Sequence, residues 1–109
     1  MKGEFAMNNL RPIGVAEDGL SVILGEDVFR LKDEIGLPLS VCFAEFEKRG
    51  MMIDWIGFIN AARKSGWWDF QAIEAIEEAF ADSQAWADKR TIIMLKIKAY
   101  VMAVAHPRL

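Results

Sequence analysis

The sequence predicts a mainly α-helical protein in which a short N-terminal β-hairpin precedes a compact bundle of about four helices. After Gly36, apolar residues recur at spacings of three and four, which is the period of an amphipathic helix. Before Gly36 they form short runs separated by turn residues, a pattern typical of strands. With 109 residues and an apolar fraction of 53%, the chain can bury one core. We therefore treat residues 1–109 as a single domain.

The N-terminal third is predicted to contain the hairpin. Residues 1–11 lack periodicity, and we expect them to be disordered. Residues 13–16 and 20–24 form the two strands, because Asp18-Gly19 between apolar runs is a strong hairpin signal. Gly25-Glu26-Asp27 is predicted to be a second turn. Beyond it, residues 28–32 fit a third strand, but a short helix spanning residues 27–35 with Asp27 as its N-cap fits equally well.

The remaining chain is predicted to form helices over residues 38–49, 55–65, 70–81 and 88–105. Gly50 and Gly66 follow the first two as stop signals, and Asp54 and Asp69 precede the second and third as N-caps. The stripes that mark the inner sides of the first three helices are Leu39, Cys42, Phe43 and Phe46; Trp55, Phe58, Ile59 and Ala62; and Phe70, Ile73, either Ile76 or Glu77, and Phe80. The last helix is apolar on nearly every side, which predicts either the central core element or an oligomer surface.

The residue types needed for catalysis or for metal and cofactor binding are scarce. His106 is the only histidine, and the only cysteine, Cys42, falls on an apolar stripe and is expected to be buried. A Cys/His zinc site cannot be built from one of each. The carboxylates Glu74, Glu77 and Glu78 lack histidine co-ligands, so they predict a solvated acidic face. We expect no enzymatic activity, metal or cofactor.

Charge is unevenly distributed along the chain. Residues 1–82 carry 8 basic and 15 acidic side chains, a net charge of −7, whereas residues 83–109 carry 5 basic and one acidic, a net charge of +4. Such a chain could self-associate head to tail or steer an oppositely charged partner. The acidic pI of about 5.1 argues against nucleic-acid binding.

The sequence shows neither a signal peptide nor a membrane-spanning run, so we expect no membrane association and a cytoplasmic protein. Lys2-Gly3-Glu4 can be encoded by a bacterial type of ribosome-binding sequence. We therefore hypothesise that translation starts at Met7 rather than at Met1, in a bacterial or phage gene.

Large amphipathic side chains are the best candidates for protein contact. Four tryptophans and six methionines are a heavy use of such residues in a short chain. Trp67 and Trp68 are adjacent in a connection between helices, so both cannot readily face one core, and tryptophan is enriched at interface hot spots. We predict that the protein-binding residues are Trp67, Trp68, Met94 and Tyr100.

Several segments together are similar to a known family, and they comprise residues 20–31, 34–39, 53–56, 61–66 and 73–78. They resemble the small tail assembly chaperones of long-tailed phages and gene transfer agents. The similarity extends over about residues 20–81. It implies binding to a tape-measure protein, whose premature aggregation the chaperone prevents, or to another tail protein. The apolar last helix is compatible with holding a hydrophobic helical client.

A second function of a different class is also compatible with the sequence. Glu74, Glu77, Glu78 and Asp82 could imitate nucleic-acid phosphates, making the protein a small acidic inhibitor of a host or defence enzyme. A chaperone needs an exposed apolar groove and is expected to form a homo-oligomer. An inhibitor instead needs a contiguous acidic patch on a monomer.

Overall fold

A computed structural model describes residues 10–105 of the chain. Its elements, in order, are β1 (Pro12–Val15), β2 (Ser21–Ile23), α1 (Gly25–Asp33), α2 (Leu39–Lys48), β3 (Met51–Ile53), α3 (Trp55–Lys64), α4 (Asp69–Asp82) and α5 (Arg90–Ala103). The mainly helical prediction is confirmed, but this part of the chain forms five helices rather than about four. His106, the proposed start at Met7 and most of the segment predicted to be disordered lie outside the described residues.

The three strands form one small sheet in the order β1-β2-β3. The predicted hairpin is confirmed: β1 and β2 are antiparallel, and Gly19 adopts a left-handed φ of 87° in the turn between them. Strand β3 was not predicted. It pairs with β2 in parallel, with Met51 beside Ser21 and Ile53 beside Ile23. Strand β3 has only three residues, which are too few to show the alternation of buried and exposed side chains that is typical of a strand. Its pairing with β2, rather than its own sequence pattern, therefore defines it.

The segment that the sequence left open is helix α1. Of the two alternatives, the helix is confirmed and the third strand over residues 28–32 is not formed. The predicted turn at Gly25 is wrong, because the helix begins there. Asp27 lies inside the helix rather than capping it. It accepts hydrogen bonds from the backbone N and the Nε of Arg11, both at 2.9 Å. This contact with Arg11 is the main cause that lowers the pKa of the Asp27 carboxyl.

A cluster of four aromatic rings forms one side of the core. Phe43 lies 5.5 Å from Trp55, 5.2 Å from Phe80 and 5.5 Å from Trp86, measured between ring centroids. Trp86 has a φ of 47°, an uncommon value for a bulky residue. Its backbone N donates to Glu47 Oε2 at 2.8 Å and its Nε1 to the Met51 carbonyl at 3.1 Å. Ring packing and these two bonds hold the connection between α4 and α5 against the core.

The carboxylate of Asp54 accepts backbone hydrogen bonds at the start of two helices. Asp54 is the N-cap of α3, as predicted, and its Oδ1 accepts from the Gly57 N at 3.1 Å. Its Oδ2 accepts from the N of Gly25, the first residue of α1, at 3.2 Å. Both N–H groups lack partners within their own helices. Asp54 therefore fixes the starts of α1 and α3 next to each other.

We expect Asp54→Ala to lower the free energy of unfolding by about 2 kcal/mol, because an N-cap and a second hydrogen bond are each worth about 1 kcal/mol. In a thermal melt this loss corresponds to a fall in Tm of about 10 °C. Asp54→Asn keeps one acceptor oxygen and should lose about half as much. Equal melting temperatures for wild type and Asp54→Ala would show that the two bonds add nothing to stability.

Two details of α4 differ from the prediction. Asp69 is the first residue of the helix and Trp68 occupies the N-cap position. Phe70, predicted to face inward, is 66% exposed, whereas Ile76 and Phe80 are buried as expected. The Asp69 carboxylate is turned toward Arg63 of α3, which donates to it through Nε at 2.8 Å. With Asp69 facing α3, the apolar side of α4 starts at Ala72 rather than at Phe70.

Candidate protein-binding surface

The structure does not bring the four predicted contact residues together in one site. Trp67 lines a surface depression of about 430 Å³ beside α4, Met94 lines a groove of about 360 Å³ between α4 and α5, and Tyr100 lines one of about 180 Å³ between α3 and α5. Trp68, at the start of α4, is 40% exposed. The four side chains therefore do not form a single continuous contact surface.

Two of the four have clear roles within the fold. The Trp67 ring packs edge-on against Phe29 of α1, with ring centroids 5.3 Å apart, and the Lys32 ammonium lies 5.8 Å from its ring centroid. The Tyr100 hydroxyl donates to Asn60 Oδ1 at 2.6 Å, which joins α5 to α3. Both side chains are half-buried. Trp67 and Tyr100 thus pack helices together, and any contact with a partner would use only their exposed edges.

Helix α5 carries an apolar stripe on its outer side, which we call the α5 ridge and define as Ile92, Leu95, Ala99 and Met102. The three large members are 58%, 63% and 85% exposed, in chain order. Their spacing of three, four and three residues places all four on one side of the helix. Ile93 and Ile97, on the opposite side, are buried in the core. The helix is therefore apolar on both sides, but only one of them is covered by residues of the described chain.

A groove runs along each side of the α5 ridge. The α3–α5 groove is lined mainly by apolar side chains, including Trp55, Ile59 and the half-exposed Ile56, with Lys96 among its polar members. The α4–α5 groove is lined by Phe80, Met94 and Leu95, with Glu77, Arg90 and Lys98 among its polar residues. The ridge and the two grooves form one partly apolar surface, with a lysine on either side of the ridge.

The sequence predicted this helix, but it did not predict the exposed apolar stripe that forms the α5 ridge. The pattern from Ile92 onward is apolar at almost every position, so periodicity cannot tell the covered side from the exposed side. Of the predicted contact residues, Met94 and Tyr100 belong to α5, yet both are half-buried and face the body of the protein. The positions of Lys96 and Lys98 could have indicated the exposed side of the helix. On a helical projection of α5 these two lysines border the stripe formed by Ile92, Leu95, Ala99 and Met102.

The acidic face lies on α4. Glu74, Glu77, Glu78 and Asp82 are all exposed. Glu77 Oε2 lies 3.5 Å from Lys98 Nζ across the α4–α5 groove, so part of this negative charge is compensated by α5. Next to the acids, Phe70 and Trp67 line the same depression as Glu74 and Glu78. This face therefore combines aromatic and acidic surface rather than presenting carboxylates alone.

The described residues offer little for covalent or metal chemistry. Across residues 10–105, no cluster of three or more His, Cys, Asp or Glu side chains could hold a metal ion. Cys42 is fully buried, as predicted, and burial raises the pKa of its thiol to about 11. A thiol with that pKa stays protonated at neutral pH and is a poor nucleophile.

Within the described part of the chain, no helix has the length and hydropathy needed to cross a bilayer.

Comparison of the chain with models of known protein families, with curated proteins and with solved structures returns no match. The candidate surface therefore has to be interpreted from its own geometry, which consists of an exposed apolar ridge, a groove on each side of it and two bordering lysines.

Proposed function

We propose that this chain is a non-enzymatic protein-binding domain that acts as a phage tail assembly chaperone. Its client is a hydrophobic helical segment, such as part of a tape-measure protein, and it holds that segment in the cytoplasm of a bacterial host until assembly. The α5 ridge and its two grooves form the binding surface. The client would lie along α5 and cover Ile92, Leu95 and Met102.

One observation carries this proposal: helix α5 exposes three large apolar side chains, Ile92, Leu95 and Met102, on the side opposite its buried residues. Ile93 and Ile97 already attach the helix to the core, so the outer apolar side chains are not needed for packing. Contiguous apolar surface on a small protein is characteristic of interaction sites. An amphipathic helix in a groove is a common way to cover such a surface. The resemblance of residues 20–81 to tail assembly chaperones supports the choice of client.

The test is co-expression with the tape-measure protein encoded by the same genome. We expect the wild-type chain to increase the soluble fraction of that protein severalfold. Leu95→Glu should remove most of this effect, because it places a charge in the middle of the α5 ridge. Since Leu95 is largely exposed, the variant should fold normally, which circular dichroism and a thermal melt would check.

Val41→Glu is the matched control. Val41 is also an exposed apolar residue, but it lies on α2 and lines neither groove beside the ridge. This variant should protect the client as well as the wild type does. The proposal fails if the tape-measure protein is equally insoluble with and without the folded chain, or if the gene has no tail genes as neighbours.

The inhibitor alternative receives support from one observation, the exposure of all four carboxylates on α4. The compensation of Glu77 by Lys98 reduces the charge of that patch, and the neighbouring Phe70 is unlike a phosphate backbone. Glu74→Lys/Glu78→Lys separates the two functions. If the protein is a chaperone, this double variant should leave the solubility of the client unchanged. If the acidic face is the binding site of an inhibitor, the variant should no longer inhibit the host or defence enzyme.

A further inference from the structure

We propose that the α5 ridge selects a partner helix whose apolar stripe is bordered by Asp or Glu side chains. This inference rests on the proposed function and adds the chemistry of the segment that is bound. It commits to a helix of another protein as the occupant of the ridge, rather than a second copy of this chain.

The α5 ridge has the residue spacing of a coiled-coil seam. Spacings of three, four and three residues match the two apolar positions of a coiled-coil heptad, with Ile92 and Ala99 at one and Leu95 and Met102 at the other. In that register Lys96 and Lys98 occupy the two positions that border the seam. Residues at these positions pair with charged residues of the facing helix and set partner choice.

The charged residues of α5 beside the ridge are all basic. Helix α5 contains no acidic residue, and its two lysines lie on opposite sides of the ridge, Lys96 in the α3–α5 groove and Lys98 in the α4–α5 groove. Lys98 is near Glu77, but Lys96 forms no ion pair with any residue between 10 and 105. A facing helix therefore meets positive charge on at least one side and would be favoured by carboxylates there.

A second copy of this chain is disfavoured on the same surface. In a symmetric dimer through the α5 ridge, each copy would bring the same two lysines to the contact. Lys96 and Lys98 would then lie beside the lysines of the other copy, with no acidic residue of α5 to separate them. Like charges at these positions oppose pairing. The same surface is thus unfavourable for itself and favourable for an acidic helix.

The experiment uses three labelled synthetic helical peptides about 21 residues long. All carry leucine at the seam positions, and their bordering positions carry glutamate, glutamine or lysine. Fluorescence anisotropy at low salt would give the affinity of each for the full-length chain. We expect the glutamate peptide to bind at least about tenfold more tightly than the lysine peptide, with the difference shrinking as salt screens the charges.

Lys96→Glu/Lys98→Glu should reverse that preference. Lys48→Glu/Lys64→Glu is the matched control, since it changes the net charge equally at two exposed lysines that line neither groove beside the ridge. This control should keep the wild-type preference. The thermal melt of each variant would establish that it is folded.

Three outcomes would overturn the inference: the three peptides bind wild type equally, none of them binds, or the preference persists in Lys96→Glu/Lys98→Glu. So would a dimer detected by light scattering that Leu95→Glu dissociates, because a second copy would then occupy the ridge. None of these peptide results decides whether a tape-measure protein is the client. Failure of the proposed function would instead appear in the co-expression test.

Discussion

Gly25→Ala is expected to be among the most destabilising single methyl additions in the chain. A Cβ at Gly25 would lie 2.1 Å from the Phe58 N, 2.2 Å from the Asp54 carbonyl oxygen and 2.5 Å from the Gly57 carbonyl carbon. The first two atoms form a backbone hydrogen bond of α3 at 3.0 Å, so the methyl group would intrude on that bond. Backbone cannot rotate away as a flexible side chain can.

Relief of this clash requires α1 and α3, the two helices with the most extensive mutual contact, to move apart. Overpacking of a core typically costs about 1–3 kcal/mol. Because all three clashes are with backbone, we expect a loss of at least about 3 kcal/mol. A small domain has only about 5–15 kcal/mol in total. Urea denaturation should show a large fall in the midpoint, or no cooperative transition at all.

Gly14→Ala is the control for the intrinsic effect of adding a methyl group. Gly14 lies in β1, and apart from Gly14 itself and its two chain neighbours, no heavy atom of the described residues lies within 4 Å of the Cβ position. We expect its free energy of unfolding to stay within about 0.5 kcal/mol of wild type. A Gly25→Ala protein with the same midpoint as Gly14→Ala would contradict the close approach of α1 to α3.

Gly25 also illustrates where sequence reasoning stopped. Glycine serves both at tight turns and where two backbone segments approach closely, and the local sequence does not distinguish these uses. Gly25-Glu26-Asp27 fits a turn by composition. The close approach depends on Phe58 and Asp54, about thirty residues further along the chain, which no local pattern reveals. By contrast, Gly50 and Gly66 follow helices and have left-handed φ values, as their positions predicted.

The tryptophans show the same limit at the candidate site. Trp67 and Trp68 were predicted to bind a partner because they are adjacent in the sequence. The two tryptophans that are buried in the aromatic cluster are instead Trp55 and Trp86. Trp86 lies between helices, where helical periodicity gives no information. Phe70 was assigned to the inner side because its spacing to Ile73 is helical, but its position at the very end of a four-residue stripe leaves its side of the helix weakly defined. Amphipathic spacing thus predicted which sides of α2 and α3 are buried, but it wrongly placed Phe70 on the inner side of α4.

Arg63→Ala is the second substitution for which we expect a large effect, because Arg63 connects three helices. The side chain is only 4% exposed. Its Nε and Nη2 donate to both carboxylate oxygens of Asp69 at 2.8 and 2.9 Å, and its Nη2 also donates to the Val104 carbonyl at 2.8 Å. Its guanidinium carbon lies 5.5 Å from the centroid of the Tyr100 ring. These contacts join the end of α3 to the start of α4 and the end of α5.

Removal of one member of a buried ion pair typically costs about 3–5 kcal/mol. Asp69 is about one-quarter exposed and Val104 is more so, and water can replace part of what they lose. We therefore expect Arg63→Ala to reduce the free energy of unfolding by about 2–3 kcal/mol, measured by urea denaturation. Arg63→Lys keeps the charge but not the two-pronged geometry, and should recover less than half of the loss.

Amide hydrogen exchange along α5 tests the role of Arg63 more directly than global unfolding in urea does. Helix α5 is held by the inward side chains Ile93 and Ile97 and, at its C-terminal end, by Arg63 and the Tyr100–Asn60 bond. Without Arg63, the last turn of α5 should exchange its amide hydrogens faster than the first, even after correction for global stability. Met102 belongs to that turn, so the glutamate-bordered peptide should bind more weakly to Arg63→Lys. Uniform exchange along α5 would show that Arg63 stabilises the fold as a whole and does not position the ridge.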